Sequence, residues 1–277
     1  MHRILFELPF VRLPVYAYGT MLYLSLLVGW MLTLHLAERD GIPRRLARIC
    51  FLVTAVAALL GARLLFVVTN LDAMRGISGI FDVASGGLVA YGGFLGGLAG
   101  AMACCRVAKV PFLVWADCAV PSLCTGLALT RIGCLLAGCD YGAPSQLPWA
   151  VRFPPGSPAF EAHVAQGRIA GDALASLPVH PTQIYEVGAG IGLLAVVLLF
   201  RRDRYSAGEA LAAFGMGYGV VRAMIEIVRA DPQRGWVGPL STSQFIGLVT
   251  AAAALGLFQW LRARRGPGGG CGVVRAW

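Results

Sequence analysis

The residues best suited to chemistry lie in the segment 126–142, which reads GLALTRIGCLLAGCDYG. An apolar run of helix length, residues 112–129, is expected to deliver Arg131 into a turn marked by glycines and cysteines, Gly133 among them, with Asp140 behind it. The guanidinium group of arginine stays protonated, and its planar fork suits bidentate binding of phosphate or carboxylate. The alternative is a structural arginine that closes a transmembrane helix and reaches the headgroup layer. Both interpretations put a fixed positive charge at the edge of a membrane.

A second set of polar residues is spaced to share one face of a helix. Tyr218, Arg222, Glu226 and Arg229 follow one another at intervals of four, four and three residues. These intervals bring side chains onto one helical face, so Arg222 and Glu226 can pair directly. A charge at bilayer depth costs about 2.5–3.5 kcal/mol on insertion scales, which predicts that the stripe faces a cavity or a partner rather than lipid. A purely structural ion pair is the alternative.

The segment HPTQIYE begins at His180 and introduces a predicted helix, since Pro181 favours a helix start. Gln183 and Glu186 lie in the first turns of that helix. A lone histidine is most often structural. Its position beside Glu186 makes a functional role the competing interpretation.

Cys134 and Cys139 are five positions apart. On a helix they face different sides, whereas in a turn they can form a disulfide on an oxidising outer face. Either one is alternatively a reactive thiol beside Arg131. The sequence leaves these alternatives open. It shows no cluster with metal-ligand spacing, so we expect no metal and no cofactor beyond a lipid substrate.

Glycines recur every four residues in the segment GGLVAYGGFLGGLAG, residues 86–100. This spacing puts Gly92 on one helix face with later glycines and lets another backbone approach closely. Gly93 begins a second row of the same spacing. Packing is the simpler interpretation, and Tyr91 just before the glycine pair can alternatively point its hydroxyl into a polar cavity.

These residues must be positioned by membrane helices. The chain of 277 residues is 57% hydrophobic and 13% charged, whereas soluble domains carry about a quarter charged residues. Apolar stretches of about 18 residues or more predict an all-α, polytopic integral membrane protein. About seven spans fit the pattern: residues 16–36, 47–69, 86–105, 112–129, 182–200, 208–228 and 243–261.

The net charge of +9 follows the membrane topology. Arginine and lysine cluster after the first, third, fifth and last spans, so the positive-inside rule predicts an outer amino terminus and a cytoplasmic carboxyl terminus. Contact with membrane lipids explains this charge, and nucleic acid is not implied. We expect one transmembrane domain, residues 1–262, with a polar outer arm at 140–179 and a flexible tail at 263–277. The first ten residues are too short, and too interrupted by Glu7 and Pro9, for a cleaved signal peptide.

Taken in order, these motifs resemble those of the prolipoprotein diacylglyceryl transferase family of bacterial membrane enzymes. The resemblance extends over nearly the whole chain. It rests on Tyr18-Gly19, the run GGFLGG at 92–97, Arg131-Ile-Gly133 with Gly138 and Gly142, the motif HPTQIYE at 180–186, Tyr218-Gly-x-x-Arg222-x-x-x-Glu226-x-x-Arg229, and Leu240-Ser-x-x-Gln244.

The resemblance implies transfer of a diacylglyceryl group from phosphatidylglycerol to the lipobox cysteine of a prolipoprotein signal peptide, with release of glycerol phosphate. It implies the inner membrane as the location. Positive charge must then be aimed at the leaving phosphate. Arg131 and Arg222 are the expected clamp, with Glu226 holding Arg222 and Tyr218 beside it. The alternatives are a paralogue that uses the same scaffold with another acceptor, or a non-catalytic lipid-binding membrane protein.

The sequence departs from the family pattern at three positions. Family members usually carry histidine where Tyr91 stands, and asparagine and glutamate where Cys134 and Cys139 stand. Tyrosine, with an ordinary pKa near 10, is a poor general base at neutral pH. Tyr91 is nevertheless expected in the catalytic set, and Asp140 is the candidate replacement for the glutamate. The expected substrate-binding residues are Tyr18, Gly92, Gly93, Cys134, Cys139, Asp140, His180, Gln183, Glu186 and Arg229.

Overall fold

The computed structural model describes residues 4–7, 14–71, 87, 89–202, 206–229 and 235–264. Within these ranges the chain forms eight helices and two small antiparallel sheets. The helices are α1 (Ala17–Arg39), α2 (Arg44–Thr69), α3 (Ala90–Ala108), α4 (Phe112–Ala137), α5 (Pro158–Ala165), α6 (Thr182–Arg202), α7 (Glu209–Val228) and α8 (Thr242–Ala263). The sheets pair β1 (Ile4–Glu7) with β2 (Pro14–Tyr16), and β3 (Trp236–Val237) with β4 (Leu240–Ser241).

Six of these helices, α1, α2, α4, α6, α7 and α8, are long and apolar enough to cross a membrane. They match six of the seven predicted spans, so the all-α, polytopic membrane architecture is confirmed. The other predicted span, 86–105, corresponds to α3. This helix has 19 residues and is not among the six.

Large apolar side chains cover the outside of the helices. Met31 on α1 and Leu60 and Leu64 on α2 are 63%, 64% and 65% exposed. Exposed apolar surface on this scale marks contact with a membrane or a partner. Lipid accepts such side chains, while the helices satisfy their own backbone hydrogen bonds. The described residues divide into two compact units, a larger one that includes those between 4 and 29 and between 119 and 264, and a smaller one that includes those between 30 and 118.

In the smaller unit, glycines bring α2 and α3 into backbone contact. A Cβ atom added at Gly61 would lie 2.4 Å from the carbonyl oxygen of Gly92. One added at Gly96 would lie 2.3 Å from the carbonyl oxygen of Ala57. Neither distance leaves room for a side chain, so the close helix packing predicted from the glycine spacing is present.

Three cysteines meet elsewhere on the same two helices. The Sγ atom of Cys50 on α2 lies 2.8 Å from that of Cys104 on α3 and is also hydrogen-bonded to Cys105. All three are free thiols. Cys50 is buried, as expected for a cysteine that packs like a small apolar residue.

In the larger unit, α7 packs between α6 and α8. The contact between α7 and α8 is again a glycine contact, because a Cβ at Gly219 would lie 2.3 Å from the carbonyl oxygen of Gly247. An apolar core joins α4, α6 and α7 and consists of Val120, Cys124, Leu193, Val197, Ala210 and Phe214. These contacts fix the helices that carry the charged residues.

The arm between α4 and α6 has its own small core, which contains Tyr141, Phe153, Ala159 and Val179. Val151 and Val179 pair as antiparallel strands do, because the backbone nitrogen of each lies 3.0 Å from the carbonyl oxygen of the other. The arm is therefore a folded layer with its own hydrogen bonds.

The arm contains one short helix, α5 (Pro158–Ala165). Ser157 caps its amino terminus by accepting a hydrogen bond from the N–H of Phe160. His163 on α5 is 1% exposed, and its Nδ1 accepts a hydrogen bond from the N–H of Leu177 at 3.3 Å. From residue 265 onwards, the predicted flexible tail lies outside the described residues. The assignment of residues 1–262 to a single domain stays a prediction.

Candidate active site

Four charged side chains of the larger unit form one ion-paired cluster. Arg131 reaches Asp140 with Nη1 and Glu186 with Nε, each nitrogen lying 2.6 Å from a carboxylate oxygen. Arg229 contacts the other oxygen of each carboxylate, that of Asp140 closely and that of Glu186 at 3.6 Å. Each carboxylate is thus shared by both arginines, and the formal charges of the cluster cancel.

The side chains of the arginine–carboxylate cluster differ in their exposure to solvent. The side chains of Glu186 and Arg229 are 3% and 9% exposed, whereas that of Asp140 is 32% exposed. Buried charges are tolerated only when they are paired and hydrogen-bonded. Asp140 therefore forms the accessible side of the cluster.

The electrostatic environment keeps Asp140 ionised. Burial acts to raise the pKa of this carboxyl, but the charges of Arg131 and Arg229 outweigh burial and hold its pKa below the ordinary value. The neighbouring thiol is affected as well, because a hydrogen bond with Cys134 lowers the pKa of Cys139.

The helix that carries Arg131 is longer than predicted. The expected span ended at residue 129 and placed Arg131 in the turn beyond it, but α4 continues to Ala137. Arg131 is therefore helical, which corrects the prediction, and Cys134 lies on the same helix. Gly133 lies inside the helix because α1 packs there: a Cβ at Gly133 would lie 3.1 Å from the Cα of Tyr18. The helix ends at Gly138, whose φ of 78° suits the left-handed conformation common at helix ends.

The turn that follows α4 is held by the start of α6. The hydroxyl of Thr182 donates to the carbonyl of Asp140 at 2.6 Å, and Nε2 of Gln183 donates to the carbonyl of Cys139 at 2.6 Å. Both side chains are fully buried. Asp140 itself has a φ of 56°, a conformation that few residues other than glycine adopt. The two hydrogen bonds hold this residue where it faces the arginines.

The two cysteines lie beside the accessible carboxylate. The thiol of Cys134 donates to Oδ2 of Asp140 at 3.2 Å. The ligand atoms of Cys134, Cys139 and Asp140 all lie within 4.8 Å of one another. Both cysteines are free thiols in this structure. Spacing along the chain did not mark this grouping as a ligand set, because Cys134 is on the last turns of a helix and Cys139 is beyond its end.

Arg222 forms a separate ion pair. Its Nη1 lies 2.9 Å from Oε2 of Glu226, as predicted from their spacing, and its Nη2 donates to the hydroxyl of Ser243 at 3.1 Å. The side chains of Arg222 and Glu226 are 14% and 4% exposed. Tyr218, one turn earlier, stacks on Phe214 with ring centroids 5.5 Å apart. The stripe therefore faces protein, as the cost of lipid exposure requires.

His180 has a partner other than the one its sequence position suggested. Its Nδ1 lies 3.3 Å from the hydroxyl of Tyr185, which also accepts a hydrogen bond from the indole of Trp149 at 2.8 Å. Glu186, expected beside the histidine, instead joins the arginine cluster. The carbonyl of His180 accepts from the N–H of Gly142 at 3.0 Å, so His180 also helps to fix the turn.

The other predicted residues occupy two places. Tyr18 lies at the start of α1 and is 43% exposed. Tyr91, Gly92 and Gly93 begin α3 in the smaller unit. Gly92 is fitted closely against α2, whereas a Cβ at Gly93 would meet only an ordinary contact, 3.5 Å from the carbonyl oxygen of Ala58.

Two features of the site were missed at the level of sequence. Thr182 was not singled out, although its position directly after His180-Pro181 at a helix start could have marked it as a residue that bonds to backbone. The pairing of Arg229 with Arg131 through shared carboxylates was also missed, because 98 positions separate them. No local spacing reports such a contact.

The fold and the cluster define a class of protein: a polytopic helical membrane protein with buried arginines held by carboxylates at the ends of its helices. Comparison with known proteins narrows this class. The family model described as prolipoprotein diacylglyceryl transferase matches residues 3–260. The chain belongs to the prolipoprotein diacylglyceryl transferase family.

Curated relatives agree over nearly their whole lengths. The chain is 31% identical over 265 residues to the phosphatidylglycerol–prolipoprotein diacylglyceryl transferase of Clostridium tetani, covering 96% of this chain and 100% of the relative. It is 31% identical to transferase 2 of Clostridium perfringens, covering 89% and 91%. It is 28% identical to the transferase of Pseudomonas putida, covering 91% and 92%. The family resemblance predicted from the motifs is confirmed.

Proposed function

We propose that this protein transfers the diacylglyceryl group of phosphatidylglycerol to the lipobox cysteine thiol of a prolipoprotein and releases glycerol phosphate. The observation that carries the activity is the match to the transferase family over residues 3–260. All the relatives described above bear the name of this transferase. Nothing in these comparisons favours the alternative of a different acceptor.

The reaction explains why arginines belong at the site. The sulfur of the acceptor attacks the glycerol carbon that carries the phosphate, a C–S bond forms, and the C–O bond to phosphate breaks. The departing phosphate needs positive charge aimed at it in the transition state. Arg131 and Arg229 already hold one carboxylate between them, that of Asp140. A phosphate offers the same kind of paired oxygens to these guanidinium groups.

This arrangement changes the expected clamp. The sequence paired Arg131 with Arg222, whereas Arg131 shares its carboxylates with Arg229. We assign the leaving phosphate to Arg131 and Arg229. Arg222, held by Glu226, remains a second cation for the phosphate or the headgroup.

The remaining residues are assigned supporting roles. Tyr18 and Tyr218 are proposed to hydrogen-bond the glycerol headgroup, and His180 to fix the turn that carries Asp140. Tyr91, Gly92 and Gly93 keep their proposed place in the catalytic and binding sets. The tight fit of Gly92 against α2 supports a packing role for that residue first.

The proposed location is the bacterial inner membrane, with the site at its outer face. The basic segments after alternate helices support an outer amino terminus and a cytoplasmic carboxyl terminus. A fusion of a fluorescent protein that matures only in the cytoplasm to the carboxyl terminus tests this orientation. Fluorescence supports it, and a dark fusion of full length contradicts it.

A reconstituted assay tests the activity. Purified protein is mixed with labelled phosphatidylglycerol and a lipobox peptide, and both lipid attachment to cysteine and glycerol phosphate release are followed. We expect Arg131→Ala to lower transfer by at least about 100-fold, and Arg131→Lys to restore little because the planar fork is lost. Arg44→Ala, which removes an exposed ion pair with Glu38, is the matched control. Lipid binding without transfer in the unmodified protein would contradict the proposal, and so would full activity in Arg131→Ala.

A further inference from the structure

We propose that Cys134, Cys139 and Asp140 form a zinc site whose fourth position binds the acceptor thiolate. This inference rests on the proposed function, since it assigns the acceptor to that site. Catalytic zinc sites characteristically have three protein ligands and leave one position open for water or substrate. The three side chains supply two sulfur atoms and one carboxylate oxygen, and all three atoms lie within 4.8 Å of one another.

The separation of two of the ligand atoms suits a zinc ion. The sulfur of Cys134 lies 3.2 Å from Oδ2 of Asp140, with the thiol proton between them. With zinc bonds of about 2.3 Å to sulfur and about 2.0–2.2 Å to oxygen, this separation closes a sulfur–metal–oxygen angle of roughly 95°. A small side-chain movement reaches the tetrahedral value. The metal would therefore take the place that the thiol proton now holds.

The surrounding charges permit a divalent cation. The positive groups that face the site are Arg131, with Nη1 at 4.0 Å from the sulfur of Cys134, and Arg229, while Glu186 supplies a further negative charge. The four charges of the arginine–carboxylate cluster cancel. Zinc that enters as two thiol protons leave keeps this balance. Asp140 can keep Arg229 on Oδ1, and Oδ2 can bind the metal with one lone pair while it accepts from Nη1 of Arg131, 2.6 Å away, with the other.

The backbone of the site is fixed before any metal arrives. The carbonyls of Cys139 and Asp140 accept hydrogen bonds from the buried side chains of Gln183 and Thr182, each at 2.6 Å. Outer groups of this kind orient metal ligands and sharpen affinity. The third ligand, Cys134, is carried by the last turns of α4. The partly exposed side of Asp140 leaves the site open to a peptide.

The donor set favours zinc over harder cations. Thiolates select zinc and Cu(I), whereas magnesium and calcium prefer sites made of oxygen alone. A carboxylate as third ligand suits a divalent ion, and two sulfurs with one oxygen match zinc among such ions.

The zinc site would convert the acceptor thiol into a thiolate. A free cysteine thiol has a pKa near 8.5, so most of it is protonated at neutral pH. A thiol that coordinates zinc is deprotonated outright. The acceptor loses its proton to water as its sulfur takes the fourth position. That sulfur then forms the bond to the glycerol carbon, while the electron pair of the broken C–O bond leaves with glycerol phosphate. No oxidant or reductant is needed.

Cobalt substitution tests the site directly. Full-length protein in lipid nanodiscs is reduced, stripped of metal and titrated with Co²⁺, which replaces zinc and gives thiolate charge-transfer absorption. We expect one equivalent of Co²⁺ to bind, and Zn²⁺ to displace it. Cys134→Ala and Cys139→Ala should each weaken binding by at least about tenfold, and Asp140→Asn should alter the visible spectrum. Absence of the thiolate absorption would overturn the proposal.

Two control variants separate this site from other thiols. Cys124→Ala removes a buried cysteine from the same helix, and Cys50→Ala breaks the thiol group that includes Cys104. Both should retain the absorption at full strength. A signal lost in Cys50→Ala, or kept in Cys134→Ala and Cys139→Ala together, would show adventitious binding and overturn the zinc site.

The acceptor position has its own readout. A lipobox peptide with cysteine should change the cobalt spectrum, and the same peptide with serine should not. An identical response to both peptides would overturn the assignment of the fourth position. Transfer by metal-stripped protein at full rate would overturn the inference while leaving the proposed function intact. Cobalt binding with no transfer under any metal would instead count against the proposed function.

Discussion

In the α2–α3 pair, backbone lies against backbone because glycines leave no side chain between the helices. In the arginine–carboxylate cluster, four charged side chains from separate segments converge on one another. The helix pair depends on glycines that have no side chain, and the cluster depends on opposite charges that compensate one another. A repeated local spacing specifies the helix pair, whereas only the assembled larger unit specifies the cluster. The two regions should therefore fail in different ways when they are altered.

The largest expected effect comes from removing the second arginine of the cluster. Arg229→Ala leaves the carboxylates of Asp140 and Glu186 with only one arginine, and breaking a buried pair costs about 3–5 kcal/mol. It also removes a charge from the proposed phosphate clamp. We expect transfer to fall by about 100-fold to 1,000-fold. The labelled-lipid assay measures the loss.

Arg229→Lys tests whether geometry or charge matters in the same position. A lysine keeps the charge but cannot bind two carboxylates with a planar fork, so we expect only partial recovery. The control is Arg264→Ala, which removes a guanidinium stacked on the ring of Trp260 and should leave transfer unchanged. Equal activity in Arg229→Ala and the unaltered protein would remove Arg229 from the clamp.

The helix pair should respond through stability instead. In Gly92→Ala the new methyl group would lie 2.3 Å from the carbonyl oxygen of Gly61, and overpacking of this kind costs about 1–3 kcal/mol. In Gly93→Ala the nearest atom is 3.5 Å away, and the better helix propensity of alanine can add up to about 1 kcal/mol. Thermal unfolding followed by size-exclusion chromatography should show a lower midpoint for Gly92→Ala only. Equal midpoints for the two variants would contradict the packing role.

A smaller effect is expected in the turn that carries Asp140, where buried side chains donate hydrogen bonds to the backbone. Thr182→Val keeps the side-chain shape but leaves the carbonyl of Asp140 without its buried donor, a loss of about 1–3 kcal/mol. We expect about tenfold slower transfer, since about 1.4 kcal/mol corresponds to that factor. Thr182→Ser restores the hydroxyl and should recover the rate. A slow serine variant would indicate that the methyl group, rather than the hydrogen bond, matters.

The smallest effect concerns acid pH and the arm. Burial, and then the charge of Arg168, lower the pKa of His163, whereas the unfolded side chain has a pKa near 6.5. The unfolded arm therefore gains its proton first as the pH falls. The contribution of neutral His163 to the stability of the arm is fully present above about pH 6.5. It decreases as the pH falls towards the pKa of the folded state, by at most about 1.4 kcal/mol per pH unit.

Hydrogen exchange of the arm backbone between about pH 7 and pH 5, a range that brackets the unfolded pKa, measures this effect. Exchange should accelerate at the lower pH after correction for its intrinsic pH dependence. His163→Gln keeps an acceptor for the N–H of Leu177 but cannot titrate, so its corrected exchange should not change with pH. An unchanged pH response in His163→Gln would assign the effect to another group.

Much of the fold was predictable because it depends on local composition. Apolar runs of membrane length predicted six helices that the structure contains, and glycine spacing predicted the α2–α3 contact. The boundary of α4 was wrong for a physical reason: Gly133 was taken as a turn residue, whereas it makes room for α1. A glycine can either form a turn or make room for a neighbouring helix, and only the packing of that helix distinguishes the two roles.

The candidate site was predictable residue by residue but not as an arrangement. The planar fork of arginine marked Arg131 as a functional candidate, and the cost of charge in a membrane marked Arg229. Asp140 was the candidate replacement for the glutamate of the family, and Glu186 came from the segment that begins at His180. Their pairing depends on how helices pack, which the one-dimensional pattern does not contain. The Arg222–Glu226 pair was predicted correctly because both residues lie on one helix, four positions apart.

The order of the cluster along the chain has a consequence for how the protein is made. Arg131 is synthesised first, then Asp140, then Glu186, and Arg229 comes last. The growing cluster is therefore positive, then neutral, then negative, and it becomes neutral again only when the end of α7 leaves the ribosome. Until then α6 carries a buried carboxylate without its full set of partners. The ion pairing of Glu186 on α6 is thus completed by a residue that is translated after it.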